Sequence, residues 1–122
     1  MINLKQIEPE LFSDTAKQSA INIAGERDSR TNKATQLRKF YDEIVMWDNK
    51  VAMHPEKFTE YLPFIRMLNA KAAYAQGRKL VDYKYVTLLN ECLQQVENAE
   101  TMRTFKLFME AFMGFYKQER PN

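Results

Sequence analysis

Near its end the chain reads "TMRTFKLFMEAFMGFYK", which carries more apolar surface than one side of a helix can hold. Wound as a helix, Met102, Phe105, Leu107, Phe108, Met109, Ala111, Phe112, Met113, Phe115 and Tyr116 cover an arc of roughly 240°. A surface helix needs an apolar stripe little over about 100° wide. Any fold of this chain must therefore wrap the segment with other elements or present part of it to a second subunit. The first reading predicts a central helix over 100–117, and the second is compatible with it.

The remaining residues can supply the wrapping. In 122 residues there are only three glycines and four prolines, against 45% hydrophobic residues, a composition poor in turns. Pro9 opens a helix through "PELFSDTAKQSAINIA" with Phe12, Ala16, Ala20 and Ile23 on one side, and Gly25 ends it. "GERDSRTNK" then reads as a surface loop. From Ala34 to Met53, Leu37, Phe40, Tyr41, Ile44, Trp47 and Val51 recur at three- and four-residue steps, the signature of a helix with one buried face. Pro55 ends that helix, "PEKFTEY" makes a short helical turn, and Pro63 starts "PFIRMLNAKAAYAQ", with Gly77 stopping it as a C′ residue. Asp82 is the expected N-cap of a helix whose Tyr85, Val86, Leu89, Leu93 and Val96 share a face. The prediction is an all-α, single-domain compact bundle of about five helices over 1–122, with 1–8 and 118–122 flexible.

Several function classes lack their parts. His54 is the single histidine and falls at a helix end just before Pro55, where it reads as a cap or a surface residue, so neither a Ser/His/Asp arrangement nor a two-histidine metal site is expected. Cys92 is alone, which removes an internal disulfide and CxxC-type spacing and leaves a buried thiol suited to a reducing compartment. The glycines at 25, 77 and 114 make no phosphate loop. No catalysis, metal or cofactor is expected, because a small hydrolase built on Glu110 or His54 has no partner for either residue. Glu110, the one acid in "FMEAFM", is expected to pair with Lys106, four residues away. No segment approaches the roughly 18 apolar residues of a spanning helix, and no charged leader with a long apolar run is present, so a cytoplasmic, membrane-free protein is expected.

A formal net charge of +2 does not announce a polyanion ligand, so a nucleic-acid role would need bases clustered on one face. Two places offer bases. In "TNKATQLRKFYDEI", Arg38 and Lys39 fall off the apolar face, one on each flank, with Lys39 and Glu43 as ordinary i,i+4 neighbours. In "AKAAYAQGRK", Lys71, Tyr74 and Arg78 share an arc about 80° wide among small alanines. A stripe of cation, aromatic, cation suits phosphates held by Lys and Arg with a ribose or base resting on Tyr. The same spacing also describes a solvated helix face with Tyr74 in the core.

"TQLRKFYDEI", "LPFIRMLNAKAAYAQGR" and "FKLFMEAFMGFYK", in that order, resemble the small-subunit family of the type III-A CRISPR (Csm) interference complex. The likeness covers about residues 9 to 117; the ending "YKQERPN" departs from the family's glycine pair. The resemblance implies a non-catalytic five-helix subunit that self-associates by stacking, beside the backbone and large subunits of the complex. It implies contacts to single-stranded target RNA and guide crRNA through Arg38, Lys39, Lys71 and Arg78, with Tyr74 on the same stripe and Lys33 and Lys79 as flanking bases. Base pairing with the guide would carry specificity, so contacts to phosphate and ribose suffice. The alternative is a helical homodimeric protein–protein adaptor joined through its apolar C-terminal helix, in which these bases are solvated decoration.

Overall fold

The computed structural model describes residues 2–121, all of whose regular elements are helical. A π-helical turn, Leu11–Thr15, runs into α1 (Ala16–Ala24), followed by α2 (Ala34–Met53). A 3-10 turn, Pro55–Lys57, leads into α3 (Phe58–Gly77), and α4 (Tyr83–Leu93) and α5 (Ala99–Glu119) complete the bundle.

Helix α5 starts at a reciprocal capping box. The Asn98 side chain accepts from the Thr101 N–H at 2.8 Å, while the Thr101 hydroxyl accepts from the Asn98 N–H at 3.0 Å. The helix then packs on both α1 and α2. Met102, Phe105, Phe108, Met109, Phe112 and Tyr116 are buried, whereas Leu107, Ala111, Met113 and Phe115 are partly covered. Its wide apolar arc is thus core at the centre and half-covered at the margins, as a central helix requires. Rings from three helices meet there: Phe40 lies 5.5 Å from Tyr85, Tyr85 6.4 Å from Phe112, and Phe112 5.3 Å from Tyr116. One charged pair reaches the α2–α5 boundary, where buried Asp48 meets Arg103 Nε at 3.2 Å. Burial pushes the Asp48 carboxyl above its ordinary range, against the opposing pull of Arg103.

The punctuation of α3 differs from the sequence reading. The helix starts at Phe58, whose buried side chain seats the first turn, and Pro63 sits exposed inside the second turn. Pro63 has no N–H to offer the Thr59 carbonyl, a loss that an exposed position lets water repair. At the far end Gly77 is still helical, and the left-handed residue is Lys79, with φ 64°. The Leu80 N–H donates to Ala75 O and the Lys79 N–H to Gln76 O, both at 2.9 Å, so the helix closes in a Schellman motif with Lys79 at C′. Asp82 caps α4 as expected, accepting from the N–H groups of Lys84 and Tyr85.

Asn32, in the segment expected to be surface loop, is buried and left-handed at φ 61°. Its N–H donates to Leu80 O at 2.9 Å, and its side-chain amide donates to Ile23 O at 3.2 Å. Its side-chain oxygen accepts from the Asp82 N–H at 3.0 Å, and its carbonyl accepts from the Tyr116 hydroxyl. Nearby, buried Arg120 donates to the carbonyls of Ala24, Ser29 and Thr31. That contact anchors a tail expected to be flexible. The head of the chain is anchored too: Ile2 and Leu4 are buried, and their N–H groups donate to Glu91 and Gln95 of the α4 region at 2.9 and 2.7 Å. Met1 and Asn122, which belong to the same two expectations, lie outside the described residues.

Two substitutions test this core. Phe112, with no exposed surface, should cost about 3–5 kcal/mol as Phe112→Ala, read as a lower denaturant midpoint. Asn32→Ala should cost about 2–4 kcal/mol, since it strands the Ile23 carbonyl and Asp82 N–H and puts a Cβ residue without Asn's tolerance at positive φ. A midpoint within error of the parent for either variant would mean that the core or the junction is misplaced.

Candidate nucleic-acid interface

α2 and α3 form an antiparallel hairpin whose exposed flanks enclose a groove of about 440 Å³. Lys39 comes from α2, and Lys71, Tyr74 and Arg78 from α3; Gln36, Phe40, Ala75 and Leu80 line it beneath. Two separate stretches of sequence are thereby brought to one surface. Tyr74 is 68% exposed, which removes the core reading of that residue, and the Arg78 guanidinium carbon lies 5.9 Å from the centre of its ring. That distance is within cation–π reach, and Arg78 is itself exposed.

Glu43 is the residue of this groove that spacing assigned wrongly. Its expected partner was Lys39 on the same helix; instead both carboxylate oxygens turn across to Lys71 Nζ, at 2.7 and 2.9 Å. The Trp47 indole N–H donates to the same carboxylate at 3.3 Å. An i,i+4 rule sees only neighbours along one helix. The cross-helix partner exists only because the hairpin folds back on itself.

The other bases named from sequence do not all converge here. Arg38 faces the opposite side of α2, in a second groove of about 450 Å³ shared with Tyr41, Glu110 and Lys117. There its Nε meets Asp42 at 3.4 Å. Glu110 pairs with Lys106 at 2.6 Å as expected, and that hydrogen bond draws its carboxyl below the ordinary range. Lys33 belongs to a third recess, of about 380 Å³, with Arg27 and Arg120. Lys79 is the left-handed cap beyond α3, exposed but outside the groove lining. Arg38 and Lys39 therefore answer to different surfaces, a separation already implicit in their positions on opposite flanks of one helix.

Chemically, the α2–α3 groove offers ammonium and guanidinium donors beside an exposed phenol ring. His54 caps α2 in an exposed position, its Nδ1 3.5 Å from Glu56. Cys92 is buried, and burial pushes its thiol well above the usual range, away from a reactive thiolate. Among the described residues no group of three or more His, Cys, Asp or Glu side chains could hold a metal ion, and no helix is long and apolar enough to cross a membrane.

A family model described as Csm2 Type III-A matches residues 9–122. No curated protein and no solved structure gives a significant match.

Proposed function

The chain belongs to the Csm2 family, the small subunit of type III-A CRISPR complexes, and from that premise we propose that its α2–α3 groove grips an RNA backbone. The subunit acts without catalysis in the cytoplasm, stacked with its own copies beside the backbone and large subunits. The observation that carries this reading is the convergence of Lys39, Lys71, Tyr74 and Arg78 on one groove. A guide-directed complex reads sequence by base pairing, so its protein need contact only phosphate and ribose. Lys and Arg supply the first contact, and Tyr74 supplies a face for a ribose or base. Arg38, Lys33 and Lys79 are exposed on neighbouring surfaces and extend the RNA path beyond the groove.

A protein-only adaptor is the competing reading, and one observation favours it. Phe64 and Met67, three residues apart on α3, are 55% and 51% exposed, and Met53 at the end of α2 is 74% exposed. Most single-copy domains keep such residues scattered or covered.

Binding of single-stranded RNA across a salt series separates the two. The isolated chain should bind weakly and without sequence preference, log affinity falling with log salt by about 0.7 for each phosphate neutralised. Combining Lys39→Ala with Arg78→Ala should weaken binding and flatten that slope by about 1.4, while leaving stability within about 0.5 kcal/mol because both side chains are on the surface. A folded double variant with the parent's affinity and slope would make the basic groove decoration and leave the adaptor reading.

A further inference from the structure

We propose that Glu43 sets the selectivity of the α2–α3 groove by competing with RNA phosphate for Lys71, an inference that rests on the RNA-binding reading of that groove. Lys71 is not a free cation: both Glu43 oxygens lie on its ammonium, at 2.7 and 2.9 Å. A phosphate arriving at Lys71 must displace that carboxylate or share the ammonium with it, and Glu43's charge repels any anion nearby. Glu43 is held in this role from behind. Its side chain is only 22% exposed, and the Trp47 indole N–H donates to it at 3.3 Å. Lys39 lies one turn away on the same helix, yet the carboxylate is directed across the groove instead.

The strength of the pair decides what it does. Lys71 is half exposed, and an ion pair in such a setting shifts an equilibrium by roughly two- to fivefold. A strand held at Lys39, Lys71 and Arg78 together overcomes that penalty. A strand touching the groove at one point does not. Glu43 thus favours a backbone presented in register over stray nucleic acid, at the cost of weaker binding by the isolated subunit.

Trp47 reports on the switch. It is the only tryptophan of the chain, bonded to Glu43 and stacked on Phe64 with ring centroids 6.2 Å apart. Displacement of Glu43 from Lys71 changes the polar partner of the indole.

The test is binding of an oligouridylate single-stranded RNA by the full chain, by Glu43→Gln, by Lys71→Ala and by the double variant, each across a salt series. Glu43→Gln should bind about two- to fivefold more tightly, because Lys71 no longer has a carboxylate to give up before it meets a phosphate. In the Lys71→Ala background the gain should vanish, which separates competition at Lys71 from a general field effect. Tryptophan emission of the parent should shift on RNA binding. Equal or weaker binding by folded Glu43→Gln overturns the proposal, as does a gain that persists without Lys71. Should Glu43→Gln fail to fold, unchanged tryptophan emission on RNA binding by the parent overturns it, and a shift sustains it. Lack of salt-dependent binding by all four proteins removes the RNA reading itself and this inference with it; Glu43→Gln matching a parent that does bind removes only the inference.

Discussion

All five helices meet at Asn32. Its four polar groups reach the end of α1 at Ile23, the exit of α3 at Leu80, the cap of α4 at Asp82 and the flank of α5 at Tyr116, and the next residue but one begins α2. A buried amide is costly unless each donor and acceptor is met, so this residue tolerates little movement of any helix relative to the others. Asn suits the position twice over. It accepts a left-handed backbone better than most side chains, and its amide offers a donor and an acceptor in opposite directions.

The junction also bears on the candidate site. Leu80, bonded to Asn32, lines the α2–α3 groove, and the Lys79–Leu80 cap that ends α3 fixes where Arg78 leaves the helix. The other face of the bundle is occupied by α5 packing on α1 and α2, which spends the large apolar surface of the C-terminal segment inside the core. With that surface covered, the outer side of the α2–α3 hairpin is left for charge. Its open end carries Lys39, Arg78 and Tyr74, Met53 lies at its closed end, and exposed Phe64 and Met67 lie along the first half of α3. Glu43, Trp47 and Lys71 lie between the two ends, linking the ion pair to the aromatic stack of Trp47 on Phe64.

The helices themselves were legible because burial imposes a period. Leu37, Phe40, Ile44 and Val51 mark α2 so clearly that its bounds agree with the sequence reading at both ends, and the Asp82 cap follows from the short polar side chain that an N-terminus demands. The outward direction of Lys71 and Arg78 was equally available, since angle around a helix follows from residue number. Departures fall where backbone geometry depends on a neighbour in space. Gly77 was the economical choice of C′ residue, but Lys79 takes the left-handed position because Leu80 must reach both Ala75 and Asn32.

From sequence alone come the all-helical class, the central place of α5, a single histidine and a single cysteine, and the two basic stretches. Each of these depends on the kinds of residue present or on spacing along one helix, and neither changes when the chain folds. Tertiary structure decided that Lys39 joins Lys71, Tyr74 and Arg78 while Arg38 faces another groove, and that Glu43 takes Lys71 as its partner. It also decided that Asn32 and Arg120, unremarkable in a polar loop and a polar tail, are buried anchors. These facts concern which side chains meet across helices. Periodicity gives the direction a side chain points from its own axis, whereas its partner depends on how the axes pack.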